Sequence, residues 1–176
     1  MGPSDEAAGR SGIRVDLHGS GAATVETGLR VLDRLLEQLA RYARFDLTLE
    51  VEPVSAEAEV SEAGTALGRA LAGPLRAGVG YGGAMMASAE ALANVVLEVS
   101  DAALVVSNVD LTEARIGGLG TDVARRFLER FAAGAGVTLH VRLLNGTDSQ
   151  HVLEAIFKAL GVALAQACST KGAESD

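Results

Sequence analysis

Tryptophan is absent and aromatic residues make up only 3% of the 176-residue chain, so its interior has to be packed with Ala, Val and Leu. The single cysteine, Cys168, cannot close an internal disulfide, and nothing points to an oxidising compartment. Cations are the minority: 15 Lys and Arg stand against 23 Asp and Glu. The resulting net charge of −8 argues against a nucleic acid partner, because a phosphate backbone selects clustered Lys and Arg. No run of about 18 apolar residues exists, and Met1–Ser11 lacks the basic-then-apolar pattern of a signal peptide. These absences predict a soluble, cytoplasmic protein with no membrane contact. What remains is 48% apolar, ample for one domain or for two half-domains sharing one core.

Residues 1–12 read as disordered. Ile13, Val15 and Leu17 alternate with polar residues, and Gly19-Ser20-Gly21 turns the chain into Ala22–Glu26, a hairpin pattern. Leu29, Leu32, Leu36 and Leu39 form a helical stripe within Thr27–Arg44, and Phe45–Glu52 alternates as a strand ended by Pro53. A helix is predicted over Val60–Leu71, closed by Gly73-Pro74, and Gly78–Gly83 reads as a flexible turn. Met86–Val99 and Ala103–Val109 suit strands, Leu119–Ala133 a helix and Val137–Leu144 a strand. Asn145-Gly146 then turns into a helix from Ser149 to Cys168, opened by the good N-cap residues Asp148 and Ser149.

The pattern repeats at a distance of 92 residues. Phe45, Leu47 and Leu49 fall on Val137, Leu139 and Val141, Arg34 falls on Arg126, and Glu62 on Glu154. That is a duplicated half-domain with one polar cluster expected in each half, 13–100 and 101–172, followed by a tail at 173–176. The order is two strands, helix, strand, helix, then the same again. It predicts an α+β fold in which two sheets sandwich a central layer of helices.

Several segments, in order, resemble the imidazoleglycerol-phosphate dehydratase family over roughly residues 13–172. Thr27-Gly28-Leu29-Arg30-Val31-Leu32-Asp33 is similar to its TG-x-x-FLDHML segment, and Gly64-Thr65-Ala66-Leu67-Gly68 to its GIALG. Leu139-His140, Gly146, His151, Glu154, Ala155, Phe157 and Lys158 resemble its LH…G-x-N-x-HH-x-x-EA-x-FKA, and Ser169-Thr170-Lys171-Gly172 its STKG. The resemblance implies two four-stranded sheets around the helices, the ribosomal protein S5 domain 2-like arrangement. It also implies two manganese ions held by imidazoles and carboxylates, and trimers that join into a larger shell. Here the histidine of the DHML segment is Arg34, its counterpart in the second half is Arg126, and the second HH pair reads Gln150-His151. Guanidinium groups do not ligate metals, so the expectation is no metal at either site and no cofactor. Both arginines that would hold the substrate phosphate are also replaced, which makes imidazoleglycerol phosphate an unexpected substrate.

Glu62 and Glu154 read either as acid–base groups in an otherwise apolar pocket or as structural partners of Arg34 and Arg126. His151 reads as a proton shuttle oriented by Glu154, or as a plain residue of the helix start. Ser88-Ala89-Glu90-Ala91 matches the family's MDEA segment, keeping Glu90 as a third acid and placing Ser88 beside it. Arg34, Arg126, Lys158, Ser169, Lys171, Met86 and Ser88 are the candidate substrate contacts; solvent or core roles stand beside each. His18 and His140 read as surface residues and Cys168 as packing. Ala58, Ala89 and Ala102 at ancestral polar positions suggest a wider, greasier pocket. The favoured function is a metal-independent acid–base or shape-directed catalyst, performing dehydration, isomerisation or cyclisation of an apolar biosynthetic intermediate. The alternatives are an inactive homologue that binds a ligand or assembles with a partner, and a residual dehydratase of the family. Either way, the expected assembly is a homo-oligomer built from trimers, with small-molecule sites at subunit interfaces.

Overall fold

The computed structural model describes residues 11–109, 115–116, 119–120 and 122–170. In chain order the first half contributes β1 (Ser11–Asp16), β2 (Ala23–Glu26), α1 (Arg30–Ala43), β3 (Asp46–Val51) and α2 (Ala56–Ala77). The second contributes β4 (Tyr81–Ser88), β5 (Ala91–Val99), β6 (Leu104–Ser107), the short β7 (Arg115–Ile116) and β8 (Leu119–Gly120), α3 (Asp122–Ala135), β9 (Val137–Asn145) and α4 (Ser149–Ala167). One sheet has the order β1-β3-β2 and the other β4-β5-β9-β6. α1 and α2 cover the first sheet, and α3 and α4 the second. The four helices meet between the sheets, giving the expected α+β sandwich, with three strands rather than four in the first sheet among the described residues.

The repeat is physical. α1 begins at Arg30 and α3 at Asp122, 92 residues on, and both run for 14 residues. β3 and β9 occupy the same place in their sheets, each antiparallel to one neighbour and parallel to the other. Their inward residues Leu47, Leu49, Leu139 and Val141 are all buried. β2 and β6, however, begin at Ala23 and Leu104, 81 apart, so 11 extra residues (92 − 81) lie between β6 and α3. β4 and β5 precede residue 100 yet belong to the second sheet, so sheet membership divides the chain between α2 and β4.

The expected β1–β2 hairpin does not form. β3 inserts between them because Leu47, Leu49 and Val51 make it the most apolar of the three strands, and a central strand is the one shielded on both edges. α2 starts at Ala56, with Ser55 Oγ accepting from the Ala58 N–H at 3.3 Å, and so takes in the acidic stretch before Val60. It also runs through Pro74 to Ala77, since burial of Leu71 and Leu75 holds the last turns in place. The predicted Met86–Val99 strand is two strands joined at Ala89-Glu90, with Ala89 at φ 49° supplying the tight turn. Gly78–Gly83 is no loose turn: Gly82 lies in β4 so close to α4 that a Cβ there would sit 2.2 Å from the Ala163 carbonyl oxygen. Ser11 and Gly12 are strand residues. No described helix is long and apolar enough to cross a membrane.

Candidate active site

Helix pairing decides where the polar residues meet. α1 packs against α4 and α2 against α3, so each polar cluster is shared between the halves. The expected Arg34–Glu62 and Arg126–Glu154 pairs do not form. Ion pairs are made instead by Arg125 with Glu129, and by His151 with Glu90 and Asp148. Glu62 accepts from the Ser11 hydroxyl at 2.5 Å. Arg126 is exposed on α3, and the outer surface of α1 bearing Arg34 faces the start of α4.

Between α1 and the first turns of α4 lies a cavity of about 580 Å³, within the range of small-molecule sites. Arg34, Gln38 and Arg41 line one wall at helical spacings of four and three, and Gln150 and Glu154 line the other. Val31, Leu35 and Leu153 form its apolar floor. Gly161 allows the close α1–α4 approach: a Cβ there would stand 2.4 Å from the Leu39 carbonyl oxygen. Half-buried Glu154 is held from two sides, accepting from Ser88 Oγ at 2.7 Å and from Gln150 Nε2 at 3.2 Å.

One turn earlier on α4, His151 is not oriented by Glu154. Its Nδ1 lies 2.6 Å from Glu90 Oε2 and 3.8 Å from Asp148. Glu90 is fixed by the Asp148 N–H at 3.1 Å, while Asp148 caps the helix through the N–H groups of Gln150 and His151. The hydrogen bond to Glu90 raises the His151 pKa above its ordinary value, with smaller pulls from the charges of Asp148, Glu90 and Glu154. Glu90 is lowered, first by backbone N–H groups of its own turn and of Asp148, then by His151. Both shifts favour an ionised Glu90 and a protonated His151 at the helix start.

Other candidates are dispersed. Lys158 donates to the Ala87 carbonyl at 3.3 Å and lies 5.4 Å from the ring centroid of Tyr42 on α1. Ser169 turns its hydroxyl to the Gln166 carbonyl, and Lys171 lies outside the described residues. Met86 packs half-buried against the core. His18 and His140 are exposed, while burial raises the Cys168 thiol to about 11. Gln38, Arg41 and the pairing role of Gln150 were not among the expected site residues. Their signal was the spacing from Arg34 along one face of α1, readable once α4 is known to pack there.

The donors of a single chain do not fit the two-manganese centre that the resemblance implies. Among the described residues no three His, Cys, Asp or Glu side chains come together to hold a metal ion. Glu154 shares its cavity with a guanidinium, which has no lone pair to donate.

A family model described as imidazoleglycerol-phosphate dehydratase matches residues 27–164. Curated relatives of that name include one from Roseobacter denitrificans, 37% identical over 93% of this chain and 87% of its own. Another, from Aromatoleum aromaticum, is 40% identical over 91% of each chain. Among solved structures, the enzyme from Pyrococcus furiosus superposes with a TM-score of 0.84 at 24% identity, covering 96% of this chain and 94% of that one. The Staphylococcus aureus imidazoleglycerol-phosphate dehydratase gives 0.83 at 24%, covering 92% and 95%.

These relatives overturn the favoured sequence reading of a repurposed catalyst for an apolar intermediate: dehydratases resemble this chain over most of its length. The structure supplies the physical reason. Ala58 on α2, Ala89 in the β4–β5 turn and Ala102 between β5 and β6 are all exposed and none lines the α1–α4 cavity, whose lining includes Arg34, Glu37, Gln38, Arg41, Gln150 and Glu154.

Proposed function

Because this chain belongs to the imidazoleglycerol-phosphate dehydratase family, we propose that it is a lyase that removes water from imidazoleglycerol phosphate, working in the groove between α1 and α4. Near full-length similarity to relatives of that name carries the reading. Elimination of water needs a base to take a proton from carbon and an acid to protonate the departing hydroxyl. Glu154 suits the role of base, being half-buried and aimed by Ser88 on one side and Gln150 on the other. His151, one turn away with its proton sustained by Glu90, suits the role of acid. The carbon loses its proton to Glu154, the hydroxyl leaves as water with the proton of His151, and the resulting enol tautomerises to a ketone. Lys158, on the same helix as Glu154, serves as a further substrate contact.

Arg126 and Glu62 belong to the equivalent α2–α3 surface. With Ser169, Lys171 and Met86 they serve substrate across a subunit boundary, in a cytoplasmic homo-oligomer built from trimers. The solvent face of the second sheet supports that assembly: Met85, Val96, Leu104 and Val106 are exposed there among polar residues such as His140, a mixed surface suited to cover by another copy. The test is turnover of imidazoleglycerol phosphate by the purified chain, read together with its mass in solution. Glu154→Gln should lower kcat by roughly 10²–10⁴. A wild-type protein that forms no product would overturn the assignment, and a monomer would overturn the assembly.

A further inference from the structure

The substrate of the proposed reaction carries a phosphate, yet neither arginine position by which the family resemblance would hold it is an arginine in this chain. The first lies within the glycine-rich stretch at 77–82, and the second reads Ser100-Asp101-Ala102. The α1–α4 cavity offers a replacement. Arg34 and Arg41 both line it, seven residues apart on one face of α1, about 10.5 Å along the axis. Long side chains from both positions can therefore converge above Gln38, whose amide adds a neutral donor between them. Neither arginine forms an ion pair with a described residue, although Glu37 lies between them in sequence and borders the same cavity. Two guanidinium groups without a carboxylate partner, facing one cavity of ligand size, have the chemistry of a phosphate clamp. The first free N–H groups of α4, at Gln150 and His151, are already taken by Asp148, so the helix start does not supply that charge.

We propose that Arg34 and Arg41 hold the phosphate group of a phosphate monoester in this cavity, with the rest of the ligand extending toward Glu154 on the opposite wall. The proposal rests on the reaction assigned above for its choice of ligand, but the clamp itself is testable without that reaction. Glycerol phosphate is the probe. It contains the phosphate and the short polyol and lacks the ring.

Titrating glycerol phosphate into the full-length protein in phosphate-free buffer, by calorimetry, should show saturable binding. Arg34→Gln and Arg41→Gln should each weaken it by about tenfold or more, as loss of a charge-assisted contact does. The double variant should abolish it, and Arg→Lys at either position should restore part. Arg125→Gln, on the exposed surface of α3, is the control and should bind as wild type. Both tested arginines are exposed, and a thermal melt checks that the variants fold. In the dehydratase assay, Arg41→Gln should raise KM with kcat nearly unchanged. Undetectable binding to the wild type, or full binding by the folded double variant, overturns the clamp. Loss of binding in the double variant, with no turnover by the wild type, retains the clamp and removes the dehydratase reading. Normal turnover and KM in the double variant does the reverse.

Discussion

Replacing Gly161 by Ala tests whether the width of the α1–α4 groove is set by a backbone contact. In an open helix interior this change stabilises by about 1 kcal/mol, because Ala loses less entropy than Gly on folding. At Gly161 the new Cβ would lie 2.4 Å from the Leu39 carbonyl oxygen and 3.2 Å from the Ala43 nitrogen. Ordinary contact begins near 3.4 Å, so α1 has to retreat by about 1 Å (3.4 − 2.4). Its backbone cannot rotate out of the way as a side chain would. Overpacking of this kind costs about 1–3 kcal/mol, and a rigid neighbour places it at the upper end. Subtracting the helix gain leaves a net loss of about 2 kcal/mol, or roughly 4–8 °C in Tm for a chain of this size. Urea and thermal unfolding at fixed protein concentration measure it. Calorimetry with glycerol phosphate should also show weaker binding, since Arg34 and Arg41 move with α1. A variant as stable as wild type, or more stable, would refute the reasoning.

The His151–Glu90 pair predicts a defined pH window. The raised His151 pKa means its contribution is complete below the ordinary value of 6.5 and is lost as pH climbs through the raised one. The lowered Glu90 pKa means its contribution is complete above 4.5 and is lost as pH falls through the lowered one. The stability difference between wild type and His151→Ala should therefore be greatest between these two values, and a difference that grows above about pH 9 would contradict the pairing. Cys168, with its thiol near 11, should react with iodoacetamide at about pH 7.5 far more slowly than free cysteine; labelling at the free rate would show it is not buried as described. Ser88→Ala should lower kcat without preventing folding, because it frees Glu154 to rotate; unchanged kinetics would remove Ser88 from the site.

Much of this architecture was legible in the chain because it is local. Alternation gave β3 and β9, the leucine stripe gave α1, and Asp148 marked the start of α4 within a residue. The 92-residue spacing of Arg34 with Arg126 and Glu62 with Glu154 revealed the duplication by itself. Pattern alone misjudged the β1–β2 hairpin and the end of α2 at Gly73-Pro74. In both places burial of neighbouring apolar residues outweighed the turn and breaker signals.

The site was less legible, for a topological reason. A repeat tells which residues are equivalent, but not which of them touch. Arg34 was matched with Glu62 because they share a half, yet α1 packs on α4, and so it faces Glu154 across a cavity. His151 was matched with Glu154 through helical spacing, yet the β4–β5 turn delivers Glu90 to its ring at a shorter reach. Composition, period and spacing are properties of the chain taken a few turns at a time, and those the sequence determined. Which helix lies against which, and hence which charges share a pocket, depends on how two half-built cores bury each other's apolar faces, and that only the tertiary structure decided.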